Sequence, residues 1–242
     1  SGHYGSLLKL PFGFGAFLTG ILADRLGASR ILTLYLAGAA MVCLSFALTA
    51  TTRLLALQLF GLGVFASMYH PAGLALMTTI TTPKNRAQAL GVHGVFGSLG
   101  LAGAPLLAGL ILLFPHTTWH TFFVTLGLMA LGLVFVFRWG TARFSASAIA
   151  NASTPLTHQS PGDLARSKLF TPTHLQIRPF VILMISSACS GIVYGGFLHF
   201  LKRYLSDVRA LDFLSINHDS VASFMAAVVL GCGVAGQFVS GA

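Results

Sequence analysis

The chain has 242 residues, 55% of them hydrophobic and 8% charged, with a net charge of +9. Soluble domains carry about 25% charged residues. Here 14 basic and 5 acidic side chains, with no Glu among them, are too few to cover a water-facing surface. The basic residues lie between apolar runs rather than in a patch interleaved with aromatics, which argues against a nucleic-acid partner.

The apolar runs are about 20 residues long, the length of a helix across a bilayer; barrel strands would be about 10 and alternating. In lipid every backbone amide has to be bonded internally. The chain therefore reads as an all-α membrane protein with about seven transmembrane helices. They are expected over residues 5–23, 31–51, 54–79, 87–114, 118–137, 177–201 and 221–242. The stretch 138–176 carries Ser, Thr, Pro and scattered basic residues without a helical apolar period, and is expected to be a loose linker. It divides a half-bundle at 1–137 from the start of a second at 177–242. The abrupt ends at Ser1 and Ala242 suggest a piece of a longer chain.

Basic residues orient the helices. Arg25, Arg30, Lys84, Arg86, Arg138, Arg143, Arg166, Lys168 and Arg178 fall on one side, and Arg53, Lys202, Arg203 and Arg209 on the other. The richer side is expected in the cytoplasm. Cys43, Cys189 and Cys232 all lie in apolar runs and are expected to be small buried residues, with no disulfide or metal framework. Gly94, Gly97, Gly100 and Gly103 recur at every third residue, with Pro105 and Gly109 beyond, and predict a close-packing helix face.

Between the first two runs stands Gly20-Ile21-Leu22-Ala23-Asp24-Arg25-Leu26-Gly27-Ala28-Ser29-Arg30, a short polar clasp. It resembles the loop between the second and third helices of the major facilitator superfamily (MFS), roughly G-x-L-a-D-R-x-G-R-[RK]. Gly20, Leu22, Asp24, Arg25 and Gly27 match in register; Ala28 departs from a basic position, and Arg30 supplies a displaced charge. The Gly61-Leu62-Gly63 and His70-Pro71-Ala72 elements resemble the fourth helix of efflux-type members, including fosmidomycin-resistance-like proteins. The arginine usual four residues before the first glycine is here Leu57, with Gln58 beside it. Pro83-Lys84-Asn85-Arg86 resembles the P-x-x-R loop before the fifth helix. Residues 100–109 partly match that helix's antiporter motif, with Ala104 and Ala108 in place of glycines.

The resemblance covers the whole chain, as helices two to eight of twelve. Residues 15–20 align with 236–241 at an offset of 221, a weak internal repeat of the kind transporters carry. The resemblance implies an MFS-type helical bundle in a membrane, with bacterial inner membrane as the expected site. It also implies alternating access around a central cavity, with Asp24 and Arg25 in a cytoplasmic gate whose partner lies on the eleventh helix of that family.

His70 and His93 are ionisable groups within expected crossings, where such groups are functional candidates. Counting 1.5 Å per residue puts them roughly 14 Å and 9 Å from the turn joining their helices, at neighbouring depths. Imidazole titrates near neutral pH and suits a coupling proton, whereas a structural histidine would brace the Pro71 kink. No Asp or Glu lies inside an expected crossing. Gln58, Tyr69 and Tyr194 are candidates for substrate hydrogen bonds, since the resemblance puts the fourth and seventh helices on the cavity wall.

No H-E-x-x-H and no G-x4-G-K-[ST] occurs, so neither a zincin nor a nucleotide-driven pump is indicated. The chain is not expected to be an enzyme or to hold a cofactor or metal. Its expected partners are a small-molecule solute, protons or another coupling ion, and the lipid bilayer. The reading is secondary transport of a small solute, export before import; the rival is a transporter-like membrane scaffold without transport.

Overall fold

A computed structural model describes residues 2–152, 177–207 and 218–240. Every described element is helical. The order is α1 (Gly2–Leu26), α2 (Ala28–Ser45), a 3-10 turn (Phe46–Leu48), α3 (Thr52–Ala66), α4 (Tyr69–Ile80), α5 (Arg86–Leu112), α6 (Trp119–Ala152), α7 (Ile177–Asp207) and α8 (His218–Ser240). Five spans are long and apolar enough to cross a bilayer: His3–Leu26, Ala28–Leu48, Thr52–Ile80, Arg86–Leu112 and Trp119–Arg143. They coincide with the first five expected crossings. The sixth and seventh fall on α7 and α8.

The turns follow from single residues. Gly27 has φ 89°, a left-handed conformation open to glycine and costly for other residues. Its N–H donates to the Ala23 carbonyl at 2.9 Å, closing α1. Its carbonyl accepts from Arg30 N at 3.1 Å, opening α2. Thr51 caps α3, its hydroxyl accepting from Leu54 N at 3.2 Å. Asn85 Oδ1 accepts from Thr82 N at 2.8 Å and holds the turn before α5.

The expected third crossing, 54–79, is two helices broken at Ser67-Met68. Pro71 has no N–H to donate back to Ser67, and its ring crowds that carbonyl. The expected linker at 138–176 also needs correction at its start. α6 runs on to Ala152, because Ala and Arg in this stretch are good helix formers even without an apolar face. Residues 153–176, the connection at 208–217 and Gly241 of the internal repeat lie outside the described residues.

α2 packs along α6, α1 along α3 and α4, and α5 most extensively along α8, which also meets α7. The α5–α8 pair runs antiparallel. Small residues allow these approaches. A methyl group on Gly127 of α6 would sit 2.9 Å from the Leu44 amide nitrogen of α2. Gly15 abuts Ser67, Gly63 abuts the Leu8 carbonyl and Pro11, and Gly38 abuts the Phe65 ring. Lipid is as apolar as Leu, so association rests on such close packing rather than on burial of large side chains. Accordingly Phe14 and Leu57 lie outward at 77% and 67% exposure, while the buried core is rich in Ala.

The expected packing face of α5 is met only in part among the described residues. Gly97, Gly100 and Gly103 have no described neighbour within 4 Å of where a Cβ would stand. Gly109 does meet a partner, the Phe224 ring of α8, at 2.9 Å from an added Cβ. A three-residue repeat drifts around a 3.6-residue helix, so it does not stay on one face. Cys43 is buried as expected; Cys189 and Cys232 are exposed.

Candidate functional site

Ala23 and Ile31, on either side of the clasp, are buried together with Leu32 and Ala72 of α4. The clasp is thus fastened to α4 by its apolar ends, while Asp24, Arg25 and Arg30 stay exposed. Among the described residues Asp24 has no ion-pair partner. Beneath the clasp is a cavity of mixed lining, about 540 Å³, bounded by Asp24, Gly27 and Arg30 on one side and Thr78 and Thr79 of α4 on the other. Gly20 lies one turn up α1, with open space where a Cβ would be.

Tyr69, His70 and His93 come together. The break before Tyr69 starts α4 in the middle of the bundle, and Tyr69 packs against the buried cluster. Its hydroxyl lies 3.5 Å from His93 Nε2 on α5, at the limit of a hydrogen bond whose direction depends on the imidazole tautomer. The Tyr69 ring is 5.0 Å from that of His70, 5.8 Å from His93 and 5.5 Å from Tyr35 of α2. His70 also meets Phe12 of α1 edge-on at 6.1 Å. Four helices thus contribute to one aromatic and imidazole cluster, close above the buried base of the clasp. Tyr35 and Phe12 are the members that sequence reasoning missed. Tyr35 is the single polar aromatic in the 31–51 run, which is the signal that would have found it.

Gln58 is elsewhere, and its assignment to a cavity wall is corrected. It is 5% exposed, at the opposite end of α2 from the clasp. Its Nε2 donates to the Ser45 carbonyl at 2.8 Å and to Ser45 Oγ at 3.2 Å, and its Oε1 accepts from Thr49 Oγ1 at 2.7 Å. It ties the 3-10 turn to α3, with both ends of its amide engaged. Tyr194 is also apart from the cluster. It borders a cavity of about 210 Å³ between α5, α7 and α8, beside Ser98, Phe197 and Val229. Pro105 is half-buried within α5, which continues through it. No group of three metal-ligating side chains occurs among the described residues.

The set of parts is a polar turn between the first two crossings, a proline-broken crossing with an imidazole pair beside it, and five or more apolar spans. A family profile described as the Major Facilitator Superfamily matches residues 2–242. The chain belongs to the Major Facilitator Superfamily. That family consists of transporters of small solutes rather than enzymes, and this member is an integral membrane protein with several apolar helices. The chain is similar to the methyl viologen resistance protein SmvA of Salmonella typhimurium, at 34% identity over 140 residues, 57% of this chain and 27% of that protein. It is similar to the puromycin resistance protein pur8 of Streptomyces alboniger, at 33% identity over 111 residues, 46% of this chain and 22% of that protein. The matched part is therefore about a quarter of these MFS relatives. No solved structure shows a significant match.

Proposed function

We propose that this chain is part of a secondary active exporter that moves a small solute across a bacterial inner membrane by alternating access. Family membership over residues 2–242 carries the transport reading. The resistance proteins among the distant relatives support export. The narrower kinship with fosmidomycin-resistance-like members rests on Gly61-Leu62-Gly63 followed by His70-Pro71-Ala72.

In this reading residues 1–137 and 177–242 belong to two halves that rock about a central site. Asp24 and Arg25 form part of the inner gate, exposed and ready for a partner on the other half. The Tyr69–His93 contact is the coupling element. Imidazole exchanges a proton near neutral pH, and the contact joins α4 to α5, whose main neighbour is α8. A proton gained by His93 leaves it a donor at both nitrogens, which changes what it can do with the Tyr69 hydroxyl. Proton load is thereby linked to the position of α5.

The test is flux in proteoliposomes containing the whole protein, with methyl viologen and puromycin as first solutes and an imposed pH gradient. Gradient-driven movement of either supports the reading. Insertion without flux of any solute across a broad panel would favour the scaffold alternative.

A further inference from the structure

We propose that the clasp end of α1–α6 holds an anionic phospholipid, its headgroup beneath the clasp and an acyl chain along α4 and α6. The cavity bounded by Arg30 and Thr78, whose polar groups stand among Ala23, Leu26, Ala28 and Ala75, is not isolated. A second cavity of about 540 Å³ adjoins it, and Ser29, Leu76 and Thr79 border both. This second space is apolar: Ile80 of α4 and Val136 and Phe137 of α6 form its walls, and Gly140 leaves it open. A free inorganic anion would use the polar groups around Arg30 and leave the apolar walls unfilled. A hydrocarbon would do the reverse. A ligand with an anionic head and an acyl tail fills both.

The charge at this end selects the head. Arg30 borders the first cavity directly, as does Asp24. Arg86 is drawn to it from α5, its Nη2 donating to the Thr78 carbonyl at 3.4 Å and its Nε to Thr81 Oγ1 at 3.5 Å. Arg30 therefore lines the space together with the carboxylate of Asp24, and Arg86 stands behind its Thr78 wall. Arg25 and Lys84 stand exposed nearby in sequence, and Asp24 is the one acid described at this end. Guanidinium suits a phosphate oxygen pair in geometry as well as charge. The clasp lies at the ends of two membrane spans, so a bilayer headgroup is the phosphate at hand. Basic pockets between helices at the cytoplasmic side are suited to such headgroups, with about 1 kcal/mol, or about fivefold, for each basic side chain.

The test is native mass spectrometry of the whole purified protein in detergent, offered phosphatidylglycerol, phosphatidylethanolamine or inorganic phosphate. The expected result is retention of phosphatidylglycerol over phosphatidylethanolamine by about fivefold or more, with phosphate alone not retained. Arg30→Gln should reduce that retention about fivefold. Gly140→Leu, which blocks the apolar space without changing charge, should reduce it as well. Equal retention of the two lipids by the unaltered protein overturns the proposal without reference to any variant. So does retention that survives Gly140→Leu, or binding of inorganic phosphate alone. Lipid retention is read without solute flux, so its failure leaves the export reading untouched.

Discussion

The Tyr69 hydroxyl and His93 Nε2 lie 3.5 Å apart, joining α4 to α5 beside the Pro71 break. Tyr69→Phe removes the hydroxyl and keeps the ring against Tyr35. The expected change in melting temperature is small, since a single hydrogen bond contributes about 1 kcal/mol. Gradient-driven transport should fall, and counterflow exchange should persist. His93→Gln should act in the same direction, and the double variant should be less than additive. Coupling that survives both changes would remove this pair from the mechanism.

For the clasp, Asp24→Asn keeps the side-chain shape and removes its charge. Because Asp24 is exposed and unpaired among the described residues, expression and insertion should be unchanged. Transport should fall if its partner is on the other half, by an amount set by about 1–3 kcal/mol of coupling. Solute flux and a surface-accessibility assay in the same membranes separate the two effects. Full flux at normal expression would leave Asp24 as a turn residue.

Gln58 gives the opposite pattern. Gln58→Leu removes the partner of the Thr49 hydroxyl and the Ser45 carbonyl, both half-buried, at a cost of about 1 kcal/mol. The melting temperature should drop while the affinity for solute stays the same. A change in solute selectivity at unchanged stability would restore Gln58 to the cavity wall.

Glycine substitutions test the packing of α5. Gly109→Leu drives a side chain into the Phe224 ring and should lower stability or yield sharply, by about 1–3 kcal/mol for an overpacked contact. Gly100→Ala meets nothing described within 4 Å and should be neutral or mildly stabilising. Thermal unfolding in detergent reads both. The reverse ranking would reinstate the three-residue glycine row as the packing face.

Topology is checked by cysteine placement in a background without Cys43, Cys189 and Cys232. Lys84→Cys should react only from the cytoplasmic side, and Arg53→Cys only from outside. Labelling of position 84 in intact cells by an impermeant reagent would reverse the orientation, and with it the sidedness of the gate.

The helices were legible because lipid imposes one strong rule: apolar runs of bilayer length, interrupted by charge. That rule located the Gly27 turn and the five long spans. It had less to say where apolar composition is uniform. Gly97 and Gly109 look alike in such a run, and only the position of Phe224 on a distant helix tells them apart. Gln58 looked available because its partners, Ser45 and Thr49, are contributed by the preceding turn. Depth along a hairpin suggested His70 and His93 as neighbours; the described contacts bring each of them to Tyr69. The arrival of Tyr35 and Phe12 was not readable, since it depends on how α1 and α2 rotate about their axes. The continuation of α6 to Ala152 was hidden by polarity, which says that a segment leaves lipid but not that it stops being helical.

Gly109 and Phe224 also set the mechanics of α5. Their contact lies near the Leu112 end of a helix that packs extensively along α8, with a small cavity at Ser98 and Leu101. If α5 pivots at this pair, the rest of the helix is one long arm. From Gly109 to Arg86 that arm measures about 35 Å at 1.5 Å per residue, so a tilt of about 10° carries its tip roughly 6 Å. His93, lower on the same arm, would travel about 4 Å, more than the whole distance it now keeps from Tyr69. A swing that small parts the imidazole from the phenol and draws Arg86 off Thr78 in one stroke.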